Sequence, residues 1–268
     1  MNALCLAAGK GTRFGRLGSY LQKAMYPIGL RPFLAFSVES LLSSGAVRPG
    51  RDVLSFVVGH HGEQVRAYFG DEVDGLRVRY VEQPDPRGTG HALALAADAA
   101  AQEATASGAP APTEPTLIWL ADGYVPAAWF TALAEHPADA AMVLAPGHPD
   151  ENPTVRIDVD GPRVARAFGA TGELYDVGVW KLPPDVMTGM TDVAANGEIR
   201  MLPNLQRRIE GGLEVGWHRA DEWLHLGGTA PTPEANVARV EARVRALHGL
   251  PPVREDAAAE PRARLDAE

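Results

Sequence analysis

One cysteine stands in the 268 residues, and lysine is nearly as scarce, with only Lys10, Lys23 and Lys181 among 25 basic side chains. A lone cysteine excludes an internal disulfide, so a reducing, cytoplasmic setting is expected rather than a stapled secreted domain. Cys5 lies inside the apolar run 3–7 and reads as a small buried filler, not a nucleophile. No apolar run approaches the roughly 20 residues of a membrane-spanning helix, and the N-terminal run lacks a basic flank, so neither a membrane anchor nor a signal peptide is expected. Aromatic residues are 7% of the chain and the formal net charge is −9, which argues against a nucleic-acid partner. What is present is ordinary for a folded protein. Hydrophobic residues make up 46% and charged residues 22%, enough for a sizeable core, and disorder or a fibrous repeat is excluded as the main theme.

Short apolar or β-branched runs alternate with segments of helical period, the pattern of a mostly parallel sheet wrapped by helices. Strands are expected at 3–7, 53–58, 76–81 and 116–120, with helices at 32–42, 62–68 and 89–101 between them. The stretch 102–115 is rich in Ala, Pro, Thr and Gly and reads as a surface loop. A helix at 126–135 and a strand at 140–145 follow. The second half changes character. Runs 155–159 and 164–168 flank Asp160-Gly161, a hairpin turn signal, and 174–181, 213–219 and 222–226 read as further strands. The helix expected at 233–247 carries Val237, Val240, Val244 and Leu247 on one face. From 251 onward the chain is Pro-, Ala- and charge-rich, the composition of a disordered tail.

The most informative segment is Leu6-Ala7-Ala8-Gly9-Lys10-Gly11-Thr12-Arg13. A strand ends in small residues, and two glycines then bracket a tight turn that can aim backbone N–H groups at phosphate oxygens. Arg13 adds a guanidinium fork, and Lys10 or Lys23 a point charge. A second segment, Gln83-Pro84-Asp85-Pro86-Arg87-Gly88-Thr89-Gly90, places an amide at a strand end just before a Gly-Thr turn. That amide offers both a donor and an acceptor to a base edge. A third, Ile118-Trp119-Leu120-Ala121-Asp122-Gly123, sets a carboxylate at the carboxyl edge of the sheet, where ligand crevices of α/β folds open. The pair His60-His61 has no further ligand at metal spacing and reads as an exposed turn.

Together these segments resemble the sugar-1-phosphate nucleotidyltransferases. Leu6 to Arg13 is similar to the family's Leu-Ala-Ala-Gly-x-Gly-Thr-Arg signature, and Lys23-Ala24-Met25-Tyr26-Pro27 to its lysine and proline turn. The ten-residue step from Arg13 to Lys23 is that of the thymidylyl- and uridylyltransferases for hexose 1-phosphates. Arg16 and Gln22 depart from the family, which has proline at both positions. The resemblance implies an α/β, Rossmann-like mixed sheet with antiparallel additions in the second half. It implies one domain over 1–250, with a nucleotide-binding half at 1–125, a sugar-phosphate half at 126–250 and a tail at 251–268.

The resemblance also implies roles for single residues. Leu6, Ala7, Ala8, Gly9, Lys10, Gly11 and Thr12 would line the phosphate loop, and Gln83, Gly88 and Thr89 would hold the base. Arg13 would act on the departing pyrophosphate and Lys23 on the α-phosphate, while Asp122 would hold Mg²⁺, or Mn²⁺. On the sugar side, Asp176 stands where the family has the asparagine of Asn-x-Gly, ahead of Gly178, and its Glu-Lys-Pro has no counterpart. Arg163 or Arg166 could replace the missing cation. Lys181 reads as a solvated strand end. In Trp223-Leu224-His225-Leu226-Gly227-Gly228-Thr229, His225 takes the place of the second metal-binding aspartate. Three readings stay open there: Asp122 suffices with phosphates and water, Asp221 or Glu222 substitutes, or the enzyme is impaired. Imidazole itself suits Zn²⁺, Mn²⁺ or Co²⁺ better than Mg²⁺.

The expected activity is therefore condensation of an NTP, UTP or dTTP first, with a sugar 1-phosphate to give NDP-sugar and pyrophosphate. Alternatives are a cytidylyl- or guanylyltransferase for a non-hexose phosphate, or a nucleotide-binding regulatory relative. The partners are small molecules, and the family's habit implies a homo-oligomer.

Overall fold

A computed structural model describes residues 1–147, 152–229 and 231–253, without the side chains of Thr12, Arg13, Arg16 and Pro153. The residues expected as a disordered tail are described only at 251–253, and the rest of that stretch lies outside the described residues.

The chain begins with β1 (Ala3–Ala7), whose apolar side chains point alternately to two cores. A 3₁₀ segment (Thr12–Ser19), a second 3₁₀ turn (Lys23–Met25) and the small ribbon β2 (Pro27–Ile28) and β3 (Arg31–Pro32) lead into α1 (Phe33–Ser43). β4 (Val53–Val58), α2 (Gly62–Phe69), β5 (Glu72–Val73), β6 (Leu76–Glu82), α3 (Thr89–Ala106) and β7 (Thr116–Leu120) come after it. Next come α4 (Ala127–Glu135), β8 (Ala140–Pro146), a 3₁₀ turn (Pro153–Val155), the hairpin β9 (Arg156–Asp160) and β10 (Arg163–Arg166), and β11 (Leu174–Leu182). The last elements are α5 (Pro184–Thr188), α6 (Met201–Glu210), β12 (Val215–Arg219) and α7 (Pro233–Leu247).

Ten strands form one mixed sheet in the order β5-β6-β4-β1-β7-β11-β8-β12-β10-β9. Strands β6, β4, β1 and β7 are mutually parallel. Strand β11 runs against both β7 and β8, and β12 runs parallel to β8. From β1 the chain winds outward through β4 to β6, then crosses back by way of α3 to β7 on the other side of β1. That reversal leaves a crevice beyond the carboxyl ends of β1 and β7, the place where open α/β sheets bind ligands.

Helices cover both faces. Ala3, Cys5 and Ala7 pack with Leu34, Val38, Val65, Phe69, Trp129 and Phe130 on the face of α1, α2 and α4. Leu4 and Leu6 pack with Leu93, Ala96, Val186, Met187 and Leu205 on the face of α3, α5 and α6. A third, smaller core joins Phe14, Phe33, Phe36 and Tyr124 to Leu224, Leu226, Val240 and Val244, so α7 closes over the segment after the glycine loop.

Several expectations need correction. The stretch 222–226 is not a strand and makes a single bridge, between His225 and Gly123. Helix α3 continues to Ala106, because its alanines favour helix beyond the point where the apolar period fades. Leu247, expected on the buried face of α7, is 45% exposed at the helix end. Lys181 is not solvated: β11 lies between β7 and β8, and the lysine is buried with Nζ donating to the His136 carbonyl at 2.7 Å. Burial pulls its ammonium below the ordinary lysine value. Arg163 pairs at the surface with Glu214 at 2.9 Å, and Arg166 approaches Asp158 at 3.8 Å.

A bulge in β11 shapes the crevice wall. Asp176 pairs with Leu144 but Trp180 with Met142, so β11 holds two extra residues between those pairs. Gly178 sits in the bulge with φ 79°, and a Cβ there would lie 2.5 Å from Leu120 Cδ1. Gly178→Ala is expected to lower unfolding free energy by about 2 kcal/mol or more, combining left-handed strain with overpacking. Gly29→Ala shares the positive φ (65°) with nothing within 4 Å, and serves as the control, at about 1 kcal/mol. Urea titration of both variants checks the difference.

Candidate active site

The loop after β1 is held from below. Gly11, with φ 61°, starts the 3₁₀ segment, and its carbonyl accepts from Phe14 N at 2.8 Å. Gly18 returns so close that a Cβ would lie 2.7 Å from that carbonyl. Gln22 fixes the next turn. Its Nε2 donates to Ala7 O at 2.9 Å, its Oε1 accepts from Ala24 N, and its own N–H donates to Gln64 Oε1 at 2.9 Å. A buried amide thus ties the Lys23 turn to the end of β1. No local signal marks Gln22 beyond its departure from the family's proline. His60 and His61 also contribute: their Nε2 atoms lie 3.0 Å from Gly18 O and 3.1 Å from Ser19 O, clasping the 3₁₀ segment.

Lys23, Asp122 and His225 converge. Lys23 Nζ forms an ion pair with Asp122 Oδ2, and His225 Nε2 lies 3.2 Å from the same oxygen. The two segments are registered by backbone bonds. Leu226 N donates to Asp122 O at 2.8 Å and Tyr124 N to Leu224 O at 2.9 Å, on either side of the Gly123–His225 bridge. Asn236 of α7 secures the far side, donating to His225 O at 2.8 Å. Burial alone would raise the Asp122 carboxyl, but His225 and Lys23 hold it well below the usual carboxylate range. Cys5 lies beneath in β1, its thiol pushed up by burial and by the Asp122 charge. Among the described residues no cluster of three or more His, Cys, Asp or Glu could hold a metal. Asp122 and His225 are a pair, so any cation would need phosphate oxygens and water to complete its shell.

The second segment lies across the crevice. Gln83 is buried, and its Nε2 donates to Gly88 O at 3.1 Å and lies 3.0 Å from His91 Nδ1. A carbonyl can only accept, so Gly88 fixes which end of the amide points inward and leaves Oε1 as the acceptor to offer. His91 Nδ1 stands where it can accept from that amide, and burial and Arg87 lower its pKa. Gly88, with φ 92°, lacks the Cβ that would lie 2.6 Å from Ile199 O. Gly88 stands at the N-cap of α3, and Thr89 Oγ1 accepts from Met201 N at 3.2 Å. The chain at Ile199 is pinned here by Ile199 N to Arg87 O at 2.7 Å and Gly90 N to Ile199 O at 2.8 Å. This seats Glu198 at the crevice, a residue that no sequence motif marks.

These pieces line one cleft of about 270 Å³: Leu6, Ala7, Ala8, Gly9 and Gly11 from the loop, Lys23 and Asp122, then Gln83, Gly88, Thr89 and Glu198. Lys10 is exposed and is not among the lining residues, and the side chains of Thr12 and Arg13 lie outside the described residues. Asp176 and Gly178 are not among the lining residues, and Gly178 packs against Leu120, which is.

Residues 3–183 match the model of the MobA-like NTP transferase domain. The chain belongs to that family. The family resemblance and the mixed α/β fold read from the sequence are both borne out. The chain is similar to the bifunctional protein GlmU of Geotalea daltonii, 38% identical over 97 residues, which are 36% of this chain and 19% of that protein. It is 30% identical over 195 residues to the CMP-5'-(3-aminopropyl)phosphonate synthase of Streptomyces rubellomurinus, covering 68% of this chain and 28% of that one. Against GlmU of Paraburkholderia phymatum it is 27% identical over 259 residues, 91% of this chain and 52% of the relative. The chain thus spans from about a fifth to about half of the length of these relatives. Among solved structures, a UDP-glucose pyrophosphorylase complexed with UDP-glucose superposes with a TM-score of 0.69 at 18% identity, covering 92% of this chain and all of the other. A structure described as a glucose-1-phosphate thymidylyltransferase from Bacillus anthracis gives 0.70 at 15% identity, covering 90% and 95%. At those identities the likeness is one of fold. Among the described residues, no helix of this NTP transferase is long and apolar enough to cross a membrane.

Asp176 carries a pH signature. Its Oδ1 accepts from Gly178 N at 2.9 Å and Trp180 Nε1 at 2.8 Å, yet burial outweighs both bonds and raises its pKa to about 7. The folded state therefore keeps a proton that the unfolded chain releases near 3.8. The stability this contributes is complete below that value and is lost as pH rises to about 7. An asparagine keeps both hydrogen bonds without the charge. Thermal melts of Asp176→Asn should show it more stable than wild type at pH 8, with the advantage shrinking toward pH 4.

Proposed function

We propose that this NTP transferase joins a nucleoside triphosphate, UTP or dTTP first, to a sugar 1-phosphate, giving an NDP-sugar and pyrophosphate. The observation that carries the reading is the single cleft at the switch point of the sheet, which gathers the glycine loop, the Lys23–Asp122 pair and the Gln83 amide. An oxygen of the sugar phosphate attacks the α-phosphorus, and the bond to the β-phosphate oxygen breaks. Both reactants are anions, so catalysis is mainly alignment and charge neutralisation.

Gly9, Gly11 and the Thr12 backbone would take phosphate oxygens on their N–H groups. Lys23 would neutralise the α-phosphate, and Arg13 the departing pyrophosphate. Asp122 would hold a divalent cation, Mg²⁺ in the simplest case. Its carboxylate suits that ion, and the shortage of further protein oxygens suits a cation that keeps water and phosphate ligands. When bound, such a cation spreads the charge of the phosphate oxygens. Gln83 Oε1 would accept the N3–H of uracil or thymine, a bond that would leave the Nε2 contacts with Gly88 and His91 intact.

Glu198 supports a second reading. A carboxylate at the base side of the cleft would accept from an exocyclic amine, which favours CTP, and the sugar-side departures at Asp176 and the missing Glu-Lys-Pro leave room for a non-hexose phosphate or phosphonate. Calorimetric titration with UTP, dTTP, CTP and GTP tests the base assignment. Tightest binding by UTP or dTTP supports the first reading, and by CTP the second. GTP binding tighter than all pyrimidines would contradict the role given to Gln83.

A further inference from the structure

Toward the amino ends of the same strands, away from the active-site cleft, a second cavity of about 200 Å³ lies between the sheet and helices α3 and α5. Its floor is a row of register partners: Leu4 of β1 stands opposite Ser55 of β4, and Ser55 opposite Arg79 of β6. Above them α3 presents Ala96, Ala97 and Ala100, whose methyl groups are too short to fill the space over the sheet. An apolar cavity of about 150 Å³ already admits benzene, so this one has room for a single ring.

Two polar groups interrupt the apolar floor. Ser55, the one polar residue of β4, is 7% exposed. Its Oγ accepts only from Arg79 Nη1, at 3.5 Å, which leaves its own proton to donate. Arg79 Nη2 pairs with Glu103, while Arg79 Nε is buried with no hydrogen-bond partner among the described residues. A buried donor left unpaired is costly and calls for an acceptor. The charges favour an anionic one. Glu103 is shared with Arg77, so one carboxylate serves two guanidinium groups, and the exposed Asp185 at the rim is taken up by Arg208. We infer that this cavity binds a small carboxylic acid with a compact apolar body. Its carboxylate accepts from Ser55 Oγ and Arg79 Nε, and its body lies under the α3 alanines. The inference is independent of the nucleotidyl-transfer reading, because none of these residues lines the active-site cleft.

The experiment is a titration of the full chain with benzoate, followed through the ¹³C-methyl resonances of its alanines. Ala96, Ala97 and Ala100 should shift and saturate together, while Ala7, Ala8 and Ala92, which line the active-site cleft, stay still. Benzyl alcohol, the same body without the charge, should bind wild type about tenfold more weakly. Ala100→Leu fills the cavity and should weaken benzoate by about tenfold or more, and Arg79→Met should match that loss. The wild-type spectra stand even if a variant fails to fold. No saturable shift at the α3 alanines, shifts at Ala7 and Ala8 in their place, or benzyl alcohol binding as tightly as benzoate overturns the inference.

Discussion

Replacing Asp122 with asparagine is expected to reduce turnover by about 10³-fold or more while the protein stays folded, a loss of the size seen when a preorganised charged group is removed from a transition state. The carboxylate is the junction of the site. It meets Lys23 and His225 through one oxygen, and its backbone carries the bond to Leu226 that sets the opposing segment. Asparagine keeps the shape and that backbone bond, so circular dichroism should show the fold retained, with a lower melting temperature from the lost ion pairs with Lys23 and His225. Turnover fails because the amide neither neutralises a cation nor orients the Lys23 ammonium. Wild-type activity in this variant would mean that the chemistry lies elsewhere.

The second large effect is at Lys23. Lys23→Met should lower kcat by about 10²–10³-fold with little change in NTP affinity, because in the proposed reaction the ammonium would act on charge that develops at the α-phosphate. Lys23→Arg should keep less than about a tenth of wild-type activity. Gly11 and Gly227 enclose the lysine, with the notional Cβ of Gly227 at 2.7 Å from Nζ, and a planar guanidinium is too broad for that space. Steady-state kinetics with pyrophosphate detection separates kcat from KM. Full activity in Lys23→Arg would reduce the residue to a diffuse positive charge.

These two residues are legible in the sequence for different reasons. Asp122 comes after an apolar strand that must be interior, and a carboxylate at such a strand end faces the crevice at the carboxyl edge. Lys23 is marked by the family resemblance, standing at the family's ten-residue step after Arg13. Strands β1, β4 and β7 fall at the expected limits because apolar runs bounded by turn residues leave few alternatives. Helix α6 escapes a sequence reading because Pro203 and three charged residues obscure its apolar stripe, although proline is tolerated in a first turn. Lys181 misleads because a charged residue at a strand end looks solvated until the strand's neighbours are known. Gln22, His91 and Glu198 are recognisable only from tertiary contacts: an amide joining two loops, an imidazole behind another amide, and a carboxylate brought in by a distant segment. The approach of His225 to Asp122 is of the same kind. Motif spacing names both residues, but only the pairing of two loops shows that they meet.

That one cleft couples an NTP to a sugar 1-phosphate is tested most directly by pyrophosphate release from the purified chain, measured across UTP, dTTP, CTP, GTP and ATP against a panel of sugar 1-phosphates. Release should require both substrates, be fastest with a pyrimidine triphosphate and disappear in Asp122→Asn. Clear nucleotide binding with no pyrophosphate from any pair would contradict the proposed transfer and would leave a nucleotide-binding protein without that chemistry.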